Sequence, residues 1–412
     1  MLVVLKMRPF KPVQLVSIFN FLVAIAALTI CLQWLTQSPT IAKSEKELPR
    51  VPAESADLLA NEARLVGADQ TRQQEPHFPQ RSGPSSYDQV AALLTGKAEL
   101  GPKNIDAQDW ANYVQLIQVN WEQYQQSIGQ PMMAWSATEI KDQHPTVFYP
   151  FSGPDFTTLY QMYPDKDYYV MAALQRAQRL VDLNQLSPKA SAQTLEVLGS
   201  AWNSFGQYGY FITEYLYKYL SQNNVKIGAT TLMSSFLQLH QFSIQKIVPI
   251  QIADNGSIIE LHEDQNWDSV RFYLVKDGRE VKLDYLKMDL SNAGILKTPK
   301  NNLFLKQVTA NPVLLKAASH LPQHPNFTKV RDAILENAPV IVQDETGIDY
   351  APLNMRFDTT LYGEFNKAYR VFSGYNKDLA KAYVTRDDEK ILPFRVGYFK
   401  DGNYALIVAR RK

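Results

Sequence analysis

The sequence predicts an α/β protein: a single mixed-sheet domain with a βαβ unit and antiparallel hairpins, preceded by an N-terminal transmembrane helix. Three observations predict it. An uncharged apolar run, LVSIFNFLVAIAALTICLQWL, covers residues 15–35. A β-rich stretch at 146–164, TVFYPFSGPDFTTLYQMYP, turns through small residues into helix-forming sequence, and a second apolar run follows at 168–174. Further on, strand-length alternating segments are punctuated by Lys276-Asp277-Gly278 and Asp401-Gly402-Asn403, residue types that tight hairpins favour.

At 1.5 Å per residue, the run at 15–35 is long enough to cross a hydrocarbon core of roughly 30 Å. Its polar members are Ser17, Asn20 and Gln33, and Trp34 stands where an interfacial aromatic is expected. The run exceeds the apolar region of an ordinary signal peptide. The best cleavage site, Thr40-Ile41-Ala42, fits the small-residue rule poorly at Thr40. We therefore expect an uncleaved anchor, with secretion after cleavage as the alternative. Lys6, Arg8 and Lys11 precede the run and Lys43, Lys46 and Arg50 follow it, so basic residues alone do not orient it. A short N-terminal tail (1–14) ahead of a long C-terminal domain points to a bacterial inner-membrane protein with that domain in the periplasm. The single cysteine, Cys31, lies inside the run and leaves no thiol in the exported part.

Residues 36–86 are rich in Pro, Ser, Gln and charge and poor in aromatic and β-branched residues. They cannot bury enough apolar surface to offset the entropy of ordering, and they read as a tether. The domain is expected over 87–412. Helices are predicted for the segment from Tyr87, for 105–128 with Trp110, Tyr113, Ile117 and Trp121 at helical spacing, for 193–219 interrupted near Gly206 and Gly209, for 229–240, for Leu314–Ser319 and for Phe327–Asn337. Strands are predicted for SIQKIVPIQI, GSIIELHE, DSVRFYLV, REVKLDYLKMDL, APVIVQDETGI and MRFDTTLYG. The pair inside LPFRVGYFKDGNYALIVARR is read as a hairpin. By their alternation DSVRFYLV and REVKLDYLKMDL are expected to be antiparallel and half-exposed.

Several segments together, YPFSGPDF (149–156), LLKAASHLPQHPNFTKVRDAIL (314–335), QDETGI (343–348) and the closing YALIVARRK, resemble a group of uncharacterised bacterial envelope proteins. The resemblance implies one continuous exported domain and carries no activity or residue roles.

Net charge is +1, from 42 basic and 41 acidic residues. That balance lacks the basic stripe needed to neutralise phosphates, and no nucleic acid is expected. The G-x-G-x-x-G fingerprint is absent, and no cofactor is expected. Two acidic turns are the candidate chemistry. In Ser152-Gly153-Pro154-Asp155 the aspartate can cap the following helix or serve a ligand site; the turn lacks the flanking glycines of a nucleophile elbow. In Gln343-Asp344-Glu345-Thr346-Gly347, Asp344 and Glu345 face opposite ways in an extended chain, and one of them could meet Asp155 where α/β sheets place ligands. A plain turn with Gly347 at positive φ is the alternative. Ser152, Gly153, Asp155, Gln343 and Asp344 are the candidate ligand residues, and Asp155, Asp344 and Glu345 the candidate catalytic ones. His320 and His324 are four apart, but Pro322 between them opposes a helix, and no metal is expected. His262-Glu263-Asp264 reads as a charged loop. Tyr210, Phe211, Tyr215, Tyr217 and Tyr219 pack a core or line a groove for glycans. Two functions are consistent with these features: a membrane-tethered protein that binds an envelope protein or glycan, and a hydrolase or transferase with a carboxylate site.

Overall fold

A computed structural model describes residues 85–211, 227–368, 375–398 and 404–412. The expected anchor at 15–35, almost all of the tether, Tyr215, Tyr217, Tyr219 and the Asp401-Gly402-Asn403 turn lie outside these residues. Among the described residues no helix is long and apolar enough to cross a membrane.

The chain first lays down helices: α1 (Ser86–Leu94), α2 (Ala107–Tyr124) and α3 (Gln130–Glu139), the last two joined through a π-turn. Strand β1 (Thr146–Pro150), helix α4 (Phe156–Met162) and strand β2 (Tyr168–Ala173) follow, with β1 and β2 parallel in register Thr146 to Tyr168. This is the expected βαβ unit. Helices α5 (Pro188–Tyr208) and α6 (Ala229–Leu239) precede an antiparallel stretch of β3 (Ser243–Ile252), β4 (Ile258–Glu260), β5 (Val270–Lys276) and β6 (Arg279–Lys287). Helices α7 (Asn292–Leu296) and α8 (Pro299–Val308) lead to β7 (Val313–Leu315), then α9 (Thr328–Asn337) and β8 (Val340–Asp344). Helix α10 (Tyr350–Arg356), β9 (Phe357–Glu364), α11 (Lys377–Thr385) and β10 (Tyr404–Arg411) complete the chain.

The ten strands of the described residues form one sheet in the order β4-β3-β5-β6-β2-β1-β7-β8-β10-β9. Its centre, β6-β2-β1-β7-β8, is parallel, and the flanks are antiparallel. Successive side chains of a strand leave opposite faces, and both faces are covered. Val147 and Tyr149 join a core built with α1 to α6, whereas Phe148 meets Phe304 of α8 edge-on across the other face. Two covered faces explain why the central strands are nearly continuous apolar runs.

Several expectations require correction. Leu314–Ser319 is not a helix: it is the end of β7 and a sharp turn, because a strand is needed there between β1 and β8. Strands β5 and β6 are antiparallel and joined by Asp277-Gly278, both at positive φ, as the hairpin signal required. They are mostly buried, however, because β6 also pairs with β2 inside the sheet. Residues 392–398, the described part of LPFRVGYF, are not a strand, and β10 already has β8 on one side and β9 on the other. Helix α5 runs unbroken through Gly206 and ends at Gly209, which takes the left-handed C-cap conformation.

Candidate functional site

Leaving β1, the chain moves to β2 on one side; much later it returns to β7 on the other. Such a reversal opens a crevice outside the carboxyl ends of the two strands, where open α/β sheets bind ligands. Both candidate acidic turns lie at this edge, one after β1 and one after β8.

Backbone conformation marks the edge as unusual. Phe151, Ala317, Ser319 and His320 all have positive φ, between 49° and 60°, and none is glycine. Each such residue costs on the order of 1 kcal/mol or more and persists only where its surroundings hold it. The holding groups are identifiable. The Ala317 N–H donates to Asp344 Oδ2 at 2.7 Å, and the Ala318 N–H donates to Thr346 Oγ1 at 2.7 Å.

Asp155 is the N-cap of α4, accepting from the Thr158 N–H at 3.1 Å. It also pairs with a residue that the sequence did not flag. Lys316, at the end of β7, places Nζ 2.8 Å from Asp155 Oδ2, 2.7 Å from Thr158 Oγ1 and 2.6 Å from the Gly209 carbonyl. Both side chains of this ion pair are almost completely buried. One ammonium thus ties β7 to α4 and to the carboxyl end of α5, where the helix dipole favours a cation. The Tyr149 hydroxyl lies 3.4 Å from Asp155 Oδ2 and 3.4 Å from the Lys316 carbonyl. Burial, then the charges of Asp155 and Asp344, hold its proton well above the ordinary tyrosine range.

The two acids after β8 do face different ways. Asp344, fully buried, accepts at Oδ1 from the Thr346 N–H and hydroxyl and at Oδ2 from Ala317. Burial raises its pKa, while those hydrogen bonds and the Lys316 charge pull the other way. Glu345 turns toward the segment before Tyr398 and accepts from the Tyr398 N–H at 3.2 Å. Its pKa is pushed well above the usual carboxylate range, first by burial and then by the adjacent Asp344.

The remaining candidates have internal duties. The Ser152 hydroxyl donates to the Gly153 carbonyl at 2.9 Å. Gln343 Nε2 donates to the Ile348 carbonyl at 2.7 Å and Oε1 accepts from the Ile348 N–H at 3.0 Å, closing the turn after β8. Gly347 is not at positive φ, so the alternative of a plain turn with a left-handed glycine does not hold in that form. Glycine is needed for closeness, since a Cβ would lie 2.6 Å from Gln343 Oε1. His320 and His324 do not converge: His320 is buried and stacks on Tyr375, whereas His324 caps the next short turn through Asn326. Only Gly153, with open space where a Cβ would stand, faces outward without internal work for a side chain.

Around this polar floor runs a rim of aromatic rings. Tyr208 contacts Tyr210, and Tyr210 meets Tyr398 edge-on at 5.5 Å. The Tyr398 hydroxyl lies 2.7 Å from the exposed Ser319 hydroxyl. Tyr375 covers His320, and Phe151 meets Phe327 at 5.8 Å. Of these rings Tyr208, Tyr398, Tyr375, Phe151 and Phe327 are half-exposed.

No protein-family model, curated protein or solved structure matches this chain. Its chemistry has to be read from the edge itself.

A sharp test of that geometry is Gly397. It sits at φ +71°, and a Cβ there would lie 2.3 Å from Glu345 Oε2. Gly397→Ala is expected to cost about 2 kcal/mol, from left-handed strain and from displacing the Glu345 carboxyl. Chemical denaturation should show the loss, and Glu345→Ala in the same chain should recover part of it. A fully additive double variant would mean that the two residues do not touch.

Proposed function

We propose that this chain is a membrane-tethered envelope protein whose α/β domain binds a glycan at the carboxyl edge of its central parallel strands. The observation that carries the reading is the aromatic rim above a polar floor whose two aspartates, Asp155 and Asp344, are already occupied. Asp155 is engaged by Lys316 and by the Thr158 N–H, and Asp344 by three donors. Acids so engaged have their lone pairs committed and are poorly placed to attack a bond or remove a proton. They instead hold the strained turns that carry the rim. Half-exposed Tyr and Phe rings present flat apolar faces with hydrogen-bonding groups beside them, a surface suited to a sugar ring. The anchor at 15–35, the tether and the envelope resemblance support a place at the periplasmic face of the inner membrane.

A hydrolase or transferase is the second reading. What favours it is that Asp155, Asp344 and Glu345 gather around Tyr149, Lys316 and Tyr398 at one edge, and that Glu345 holds its proton tightly.

Calorimetric titration of the full chain with neutral tetrasaccharides built on glucose, galactose and N-acetylglucosamine tests the binding reading. Wild type should bind at least one of them without releasing product. Tyr398→Ala should weaken that binding by about tenfold, the equivalent of ~1.4 kcal/mol for one stacked ring. Binding that ignores Tyr398, or no binding at all, would sink the assignment to this rim. Product formation that Glu345→Gln abolishes would favour the enzyme.

A further inference from the structure

Strand β9 lies at one end of the sheet, and part of its outer edge is bare. The Gly363 N–H donates to the Lys390 carbonyl at 2.8 Å, away from β10. Hydrogen-bonding direction alternates along a strand, so the odd-numbered residues of β9 turn their main-chain groups outward. Near the end of the strand these groups are occupied. Lys390 bridges Tyr362 in parallel, and Arg386 donates to the carbonyls of Leu361 at 3.2 Å and Gly363 at 2.9 Å. At the start of the strand the Phe357 N–H donates to the Leu353 carbonyl and closes α10. Between these points the Phe357 C=O, the Thr359 N–H and C=O and the Leu361 N–H have no partner among the described residues.

This stretch walls a cavity of about 290 Å³, lined also by Tyr350, Arg386 and Lys390. Thr359 and Thr360 are half-exposed, so a ligand can reach the edge. Exposed edges are commonly protected by proline, lysine or a bulge. Residues 357–361, FDTTL, contain no proline or lysine and pair with β10 without a register shift. Three exposed apolar side chains flank the cavity in the chain: Met355 before the strand, Val384 between the lining residues Ala382 and Thr385, and Ile391 after Lys390.

We propose that residues 357–361 of β9 dock the extended C-terminal tail of a partner protein, added as a parallel strand with its terminal carboxylate beside Lys390 and Arg386. Bare main-chain groups on a sheet edge recognise an extended polypeptide. The Lys390 bridge closes the slot at Tyr362, so a strand running past would collide with it, whereas a chain that ends there does not. Laid parallel to β9, a tail satisfies the bare groups and brings its carboxyl end to the closed end. The cations there sit over rings, Arg386 over Tyr383 and Lys390 over Tyr362, and among the described residues neither is paired with a carboxylate. Asp388 is the one acid among the lining residues, against these two cations.

A second copy of the chain does not fit. Two β9 edges paired antiparallel about Thr359 would set Arg356 of one copy opposite Tyr362 of the other, where Lys390 already lies. The proposed interface goes beyond the glycan reading and uses none of its residues.

The test is fluorescence anisotropy of the full chain with a panel of heptapeptides of randomised sequence, labelled at the amino end and free at the carboxyl end. The tightest binders should weaken about tenfold or more when their carboxyl end is amidated, and likewise in Lys390→Glu. Thr359→Pro removes one outward N–H and no bond between β9 and β10, so its urea midpoint should stay near that of the wild type while binding is lost. Thr359→Val keeps that N–H and should bind as the wild type does. The proposal is overturned if no peptide binds, if Thr359→Pro binds like the wild type, or if amidation changes nothing. Should Thr359→Pro fail to fold, the exposed Lys390→Glu decides, and unchanged binding there overturns the proposal too. A wild-type dimer in sedimentation that Thr359→Pro turns into a monomer would also overturn it, by showing a second copy on the edge.

Discussion

Lys316→Ala is expected to destabilise the domain by about 3–5 kcal/mol, the usual result of removing one partner from a buried ion pair. The reason lies in what remains. Asp155 would keep its helix-capping bond but lose its counter-charge at 2.8 Å, and the Thr158 hydroxyl and Gly209 carbonyl would each lose a donor. Neither Asp155 nor Lys316 is within reach of solvent that could replace the lost partner. Asp155→Asn should also be costly, because the cap uses Oδ1 and the ammonium Oδ2, and a single amide oxygen can keep only one of the two while Lys316 loses its counter-charge. Replacing both residues by apolar ones of similar size should cost much less than the sum of the single losses. Urea denaturation of the wild type and the three variants checks this. A loss near zero for Lys316→Ala would mean that the ammonium does not tie the three elements together.

The second large effect is a pH dependence of stability arising from Glu345. Its folded-state pKa is raised above the unfolded value of about 4.5. The neutral acid is therefore the form that folding favours. The contribution is fully present below the unfolded value and is lost as pH rises through the folded one, at up to ~1.4 kcal/mol per pH unit. Glu345→Gln should flatten this decline, so that above the folded pKa the variant is more stable than the wild type. Two buried histidines act in the opposite sense. His240 is lowered to about 3 and His320 to about 4, so both cost stability as pH falls below the ordinary histidine range. The informative quantity is therefore the difference between wild type and Glu345→Gln at each pH, in which the histidines cancel. Asp344, raised in the same direction, should leave a smaller residual slope in the variant. A difference that stays constant from acid to neutral pH would show that Glu345 ionises as readily in the folded chain as in the unfolded one.

The two acidic turns differ in how far local sequence describes them. Ser152-Gly153-Pro154-Asp155 announces itself: a β-rich run, a break and a cap followed by apolar residues, and each part is found where the pattern places it. Its partner is silent. VLLKAAS has good helix formers, no glycine and no proline, yet it forms the last residues of a strand and a turn with two left-handed residues, Ala317 and Ser319, and His320 after it is a third. The one local hint is the lysine itself, a lone charge following a buried apolar run. The side chains that hold that turn, Asp344 and Thr346, lie almost thirty residues further along the chain, beyond the reach of any periodicity.

By itself the sequence determined the elements whose causes are local: the βαβ unit, the Asp277-Gly278 hairpin and the cap of α4 at Asp155. Hydrophobic spacing, turn chemistry and the reach of a carboxylate to the next helical turn act within a few residues, so they are written in adjacent letters. Only the tertiary structure decided that β7 would lie between β1 and β8, that Lys316 would meet Asp155, and that Glu345 would be buried with one oxygen unpaired against Gly397. Those outcomes depend on which distant strands pair and on the low polarity of the place where they meet. Burial is a property of the whole fold, and it pushes the pKa of an ordinary glutamate well above the usual carboxylate range.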